Sequence, residues 1–208
     1  MKHSATRWPA VVGVVALSIG VLVASRALAV EPRVREVLQK IAKLIEKGDE
    51  KEARKQAEAL ARTLEELNDV EHAYKLRGKG GLGVGREAGK VTPDGLELWL
   101  NAGSRDGVTP KALEKNARAF EEAAWMIAAL SEVNRASAHS GKTQLKDRKR
   151  EEVWLKLSAG VGEGARELAA AIRAKNVDSF QMALRKINHN CNSCHFFIRR
   201  GVVLPKGP

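Results

Sequence analysis

The sequence predicts an all-α protein: a four-helix bundle with an additional short N-terminal helix and a long Gly-rich loop. Three observations predict it. Ala, Leu, Glu, Lys and Arg, the residues that lose least on entering a helix, dominate the chain. Aromatic residues make up only 4% of the 208, and the β-branched runs that suit strands are scarce. Apolar residues also recur at spacings of three and four through several long segments, the period of one helix face. Charged residues at 29% and a hydrophobic set at 44% suit a globular chain rather than a disordered one. Two cysteines cannot staple a chain of this length, which excludes a disulfide scaffold.

Residues 1–29 read as an export signal. Lys2 and Arg7 give a basic start, Ala10 to Ala24 is an apolar run, and Ala27-Leu28-Ala29 is a small-x-small cleavage pattern with cleavage after Ala29. The run is short against the roughly 20 residues of a spanning helix, and Arg26 interrupts it. An uncleaved membrane anchor is the alternative; after cleavage no stable membrane insertion is expected. The remaining domain, 30–208, would then be periplasmic or otherwise exported.

Val34, Val37, Leu38, Ile41, Leu44 and Ile45 predict a short helix over 33–47, ended by Gly48-Asp49. Ala53, Ala57, Leu60, Leu64 and Leu67 predict one long helix from Glu50 to about Arg77. Six glycines between 78 and 89 are too many for either regular element, so 77–108 reads as a loop region. Within it, Pro93 opens a short helix through Leu96, Trp99 and Leu100 before Gly103. A phosphate cradle at Gly80–Gly85 fails, because no strand precedes it and no Lys-Ser or Lys-Thr pair closes it.

Thr109-Pro110 is a helix start, a capping hydroxyl followed by proline at the first helical position. The stripe Leu113, Ala117, Phe120, Ala124, Ile127 and Leu130 carries that helix to about Ala138. Asp147 to Ala174 forms the next, with Val153, Leu157, Val161, Ala165, Leu168 and Ile172 inward; Gly160, Gly162 and Gly164 mark a kink, a close neighbour or a bulky ligand. Asp178 caps the last helix. Its stripe of Phe180, Leu184, Ile187, Cys191, Cys194 and Ile198 runs through both cysteines, which turns both sulfurs toward the core. The short connection around Asn176 makes the last two helices antiparallel neighbours. Trp99, Trp125, Met126 and Met182 read as packing residues, and Trp154 as one that approaches the far end of the last helix.

The formal net charge of +11 is that of a basic protein, and loss of residues 1–29 removes three basic residues and no acid. Lys and Arg alternate with Glu, the pattern of a solvated helical surface. No nucleic-acid motif accompanies the charge. A positive surface can steer an acidic redox partner protein, and a homodimer is left open.

One motif carries chemistry. Cys191-Asn192-Ser193-Cys194-His195 is a single C-x-x-C-H, the attachment signal for c-type haem. On a helix, positions i and i+3 share a face, so both thiols can add to the two vinyl groups of one porphyrin edge. His195, at i+4 from Cys191, reaches the iron from that face as proximal ligand. The competing readings are a zinc site of His189, Cys191, Cys194 and His195, a redox dithiol, and two structural cysteines that happen to precede a histidine. The zinc ligands would crowd one stretch of helix. A redox pair normally sits at a helix N-terminus rather than late in a helix.

From about Thr109 to Arg200 the chain resembles the class II c-type cytochromes, the cytochrome c′ group. The shared features are two long helices, a tight turn, and a helix that ends in C-x-x-C-H. Arg199 matches the basic residue usual four positions after the histidine, whereas Ile198 stands where the family often has an aromatic. The resemblance implies a four-helix bundle, one covalent haem c with its iron, and electron transfer or gas binding. Low-spin members take a sixth ligand from a methionine of the first bundle helix, but no methionine lies between Val30 and Trp125. An up-down-up-down order would surround the end of the last helix with apolar or anionic residues, which favours five-coordinate iron. His72, the one histidine between Val30 and Trp125, reads as a surface residue at a helix end. It is also the candidate sixth ligand. His139 reads as solvated, and His189 lies on the same helix as His195 and cannot serve the opposite haem face.

The sequence therefore predicts an exported monohaem cytochrome that carries one electron and is not an enzyme. The alternative is a five-coordinate haem protein that binds nitric oxide or carbon monoxide. Peroxidase-like catalysis would need a distal base and a charge stabiliser, and no pair of residues can be assigned to both roles.

Overall fold

The computed structural model describes residues 30–64, 68–138 and 148–200, with the side chains of 68, 69 and 198–200 left out. Residues 1–29, which the sequence predicts to be an export signal, His139, and the side chains of Ile198 and Arg199 lie outside the described residues. The protein is all-α. Helices run α1 Pro32–Glu46, α2 Glu50–Thr63, α3 Asn68–Tyr74, α4 Leu96–Asp106, α5 Pro110–Ala138, α6 Arg148–Arg173 and α7 Val177–Arg200, with a 3-10 turn at Arg77–Lys79. Among the described residues no strand forms, and a single bridge pairs Leu76 with Gly95.

Local chemistry sets most boundaries. Gly48 closes α1 with φ +80°, and the Asp49 side chain accepts the Glu52 N–H at the start of α2. Thr109 Oγ1 accepts the Ala112 N–H at 3.2 Å and caps α5, as Thr109-Pro110 predicts. At α7 the capping residue is Asn176, not Asp178: its Oδ1 accepts the Ser179 N–H at 2.9 Å, and Asp178 sits in the first turn, favoured there by the helix dipole.

Two predicted elements are corrected. The helix over 50–77 is interrupted: Thr63 Oγ1 bonds back to the Leu60 carbonyl, and Leu64 turns extended while its side chain stays buried. The chain resumes as α3, which buries Val70 and Ala73. Tertiary burial overrides an unbroken helical propensity. The helix expected to open at Pro93 begins instead at Leu96 and continues through Gly103. Pro93 is excluded because Asp94 next to it is committed to the loop, and Gly103 is retained because a Cβ there would stand 2.7 Å from Leu184 Cδ1 of α7.

The three long helices pack in sequence, α5 on α6 and α6 on α7, with α1 and α2 against α5 and α4 against α7. Gly160 faces Asn190 and Gly164 faces Ile187, a pairing that runs in opposite directions along α6 and α7 and makes them antiparallel. Gly162 lies against Ser131 of α5. The three glycines thus mark close neighbours, and α6 continues through them without interruption. Trp99, Phe120 and Phe180 cluster with centroids 5.2 to 6.4 Å apart and join α4, α5 and α7. Met126 packs against the core as expected, but Met182 is 70% exposed, one step off the buried stripe of α7.

Residues 80–95, which form neither helix nor strand, fold around Arg77. Its guanidinium donates to the Gly85 carbonyl at 2.6 Å and pairs with Asp94 at 2.9 Å, and Gly83 leaves the space that the guanidinium fills. Asp94 also accepts the N–H groups of Val84 and Gly89. Burial alone would raise the Asp94 pKa, but these hydrogen bonds and the Arg77 charge outweigh it and hold the carboxyl below its usual value. A depressed folded-state pKa contributes stability that is present above the unfolded value near about 3.9 and fades as pH falls through the folded value. Asp94→Asn should therefore cost about 1–3 kcal/mol in urea denaturation at pH 7. The gap from the parent protein should narrow below about pH 4; a gap that is the same at pH 3 and pH 7 would refute the role.

Candidate functional site

The C-terminal part of α7 presents Cys191, Cys194 and His195 to one cleft of about 290 Å³. Both cysteines are half-buried and His195 is exposed. Val70 and Tyr74 of α3, Leu100 of α4, and Trp154, Leu157 and Val161 of α6 supply its apolar walls. Trp154 comes to this end as the sequence predicts. Its indole N–H donates to the Asn134 carbonyl at 2.7 Å, which satisfies the buried polar atom and fixes the ring against the end of α5.

Charge enters the cleft from the side opposite α7, where Glu71, Lys75 and Glu97 line it. Burial pushes the Cys191 thiol up to about 12, with the Glu97 carboxylate adding to it. Burial likewise pushes Cys194 up to about 12, with contributions from Cys191 and Glu71. Burial also raises the Tyr74 phenol well above its usual value, and the neighbouring Cys191 and Cys194 add to the effect. The pair is held as neutral thiols, whereas a redox dithiol needs a depressed pKa.

His72 is not among the residues that line this cleft. It is 8% exposed, not a solvated surface residue, and faces a neighbouring depression that shares Tyr74, Lys75 and Glu97 with the cleft. Its place near a helix end predicts exposure, but α3 packs so that the imidazole is buried. His189 is exposed over a third depression, beside Ser104 and Phe196. Among the described residues no three His, Cys, Asp or Glu side chains converge to hold a metal ion by themselves. A zinc centre at His189, Cys191, Cys194 and His195 would need such a convergence, while an iron already held by a porphyrin needs little more than His195.

The helix ends around the cleft differ from those of an up-down-up-down order. The N-terminal end of the first helix is elsewhere, and α3 and α4 stand in its place. Glu71, Tyr74, Lys75, Glu97 and Asn101 were therefore not foreseen as site residues. One signal could have found them: Tyr74 is the single tyrosine of the chain, placed just before the glycines.

No family model, curated protein or solved structure matches the chain. Among the described residues no helix is long and apolar enough to cross a membrane.

Neutral, half-buried thiols should react slowly in protein that carries nothing on Cys191 and Cys194. Carbamidomethylation at pH 8 should run at least about a hundredfold slower than in the urea-unfolded chain, because the thiolate fraction falls tenfold for each unit of raised pKa. Equal rates in folded and unfolded protein would show that the cleft does not shield them.

Proposed function

We propose that the chain is an exported monohaem c-type cytochrome of the class II kind that carries single electrons. On this reading α5, α6 and α7 form three members of a four-helix bundle, and α1 and α2 against α5, with α4 against α7, stand in for the fourth. The observation that carries the proposal is the convergence of Cys191, Cys194 and His195 on one cleft whose α6 wall carries Trp154, Leu157 and Val161, with Glu71, Lys75 and Glu97 on other sides. This donor set fits a haem: two thiols at i and i+3 for thioethers to the vinyl edge, and an imidazole one residue on for the iron. The cleft lies at the small end of the roughly 300–1,000 Å³ usual for ligand sites, so a macrocycle would keep an edge at the surface, as outer-sphere electron exchange requires.

When bound, the haem supplies the one-electron ferric/ferrous couple. The chain does the rest. Cys191 and Cys194 fix the orientation, and His195 sets the proximal field. Trp154, Leu157 and Val161 exclude water from one wall and lower the local dielectric. Glu71 and Glu97 place negative charge in the cleft, which favours the more positive oxidised state. Export through an N-terminal signal would bring the chain to the compartment where such thioethers are made, and its basic surface would favour acidic redox partners.

A second reading, reversible binding of nitric oxide or carbon monoxide, rests on the walls contributed by α3 and α4: among the described residues, those of α3 and α4 that line the cleft include neither methionine nor histidine, His72 of α3 facing the adjoining depression instead.

Mass spectrometry of protein exported from a host that attaches haem should find one haem per chain, resistant to acid-acetone extraction; zinc without porphyrin would overturn the proposal. His195→Ala should keep the thioethers and alter the ferrous spectrum, and an unchanged spectrum would refute the proximal role. The as-isolated protein should be high-spin by electron paramagnetic resonance. A low-spin signal that turns high-spin in His72→Ala or Lys75→Ala would instead assign the sixth ligand and rule out an open site.

A further inference from the structure

A second cavity, of about 450 Å³, lies between α1, the Gly-rich segment and the middle of α5. Its charge is unbalanced in a specific way. Arg35, Lys43, Arg77 and Arg86 line it, Arg77 being paired with Asp94 at 2.9 Å, and the two acids that also line it are already engaged: Glu46 by Arg173 at 3.1 Å, Glu122 by Arg86 at 3.1 Å. Among the described residues neither Arg35 nor Lys43 has a carboxylate within 4 Å.

The two guanidiniums also keep donors to spare. Arg35 donates through Nη2 to the Gly81 carbonyl at 3.2 Å and through Nη1 to the Leu82 carbonyl at 3.5 Å, the latter long for a hydrogen bond. Arg77 uses Nε and Nη2 on Asp94 and Gly85, and among the described residues Nη1 has no acceptor. A guanidinium carries five N–H donors in a planar fork that matches an oxyanion. Two such forks of like charge on one cavity repel each other: burial, then the Arg77 charge, lowers the Arg35 pKa. An anion between them would relieve that repulsion, and the same cavity continues onto the apolar surfaces of Leu82, Trp125 and Met126.

We propose that this cavity binds a small organic carboxylate, its oxygens held by Arg35, Lys43 and Arg77 and its apolar body seated against Leu82, Trp125 and Met126. The Gly-rich segment contributes backbone carbonyls to position the arginines rather than N–H groups to hold a phosphate. The site is separate from the cleft of Cys191, Cys194 and His195, shares no lining residue with it, and does not depend on the haem reading.

The test is isothermal titration of the purified full chain with benzoate, with benzamide as the neutral isostere and inorganic phosphate as the anion without an apolar body. Benzoate should bind at one site per chain, at least about tenfold tighter than benzamide or phosphate, with the visible absorption spectrum unchanged. Lys43→Glu, an exposed position on α1 whose change leaves the core intact, should weaken benzoate about tenfold or more, and Arg35→Gln should do the same. Absence of saturable benzoate binding, an affinity unchanged in Lys43→Glu, or phosphate binding as tight as benzoate would each overturn the proposal.

Discussion

The close seating of α6 between α5 and α7 is the constraint on which the rest of the molecule depends. Gly162 meets α5, and Gly160 and Gly164 meet α7, at distances that leave no room for a Cβ. Interiors packed at crystal-like density transmit such constraints along whole helices. With three axes drawn together in the middle of α6, bulkier residues toward its start, Trp154 and Leu157, stand where the helices open into a cleft. A single helix with small residues on two faces thus sets close contacts on both sides and borders the cleft that holds the two cysteines.

The cleft then acquires its character from elements of the first half. On α7 the buried stripe of Phe180, Leu184 and Ile187 ends in the two cysteines, so the reactive positions continue a packing surface and are not set apart from it. The opposing walls come from α3 and α4, short helices whose positions are fixed by the loop that encloses Arg77. Carboxylates there raise the thiol pKa values where burial has already raised them. Packing and electrostatics both favour the uncharged thiol, the form least prone to stray oxidation or metal capture.

Much of this organisation was legible in the residues. The stripes of α1, α5, α6 and α7 follow the 3.6 period closely, and caps at Gly48-Asp49 and Thr109-Pro110 lie where their side-chain chemistry places them. The motif at 191–195 was readable because its spacing is a local property of one helix. What could not be read is non-local. Nothing in Glu50–Arg77 marks a break at Leu64, since Thr63 and Leu64 are acceptable helix residues and only the burial of Val70 and Ala73 against other helices favours the turn. Glu71, Tyr74 and Lys75 lie beyond that break, and their meeting with the cysteines depends on how α3 and α4 dock, which no local spacing records. Met182 was misplaced for the opposite reason: one position around α7 separates a buried side chain from a solvated one.

The position of the two thiols on the last described helix, half-covered by α3, α4 and α6, bears on how the protein would mature. On the cytochrome reading, a bond must form at each sulfur with a bulky planar partner, yet the docked helix holds both sulfurs neutral and shielded. The finished fold therefore resists the reaction that would complete it. Loading would belong to an earlier stage, with α7 still undocked and reachable by an attachment machinery, and the closing of the bundle would follow as the step that locks the cofactor in. The native state would then be a product of assembly order as well as of sequence.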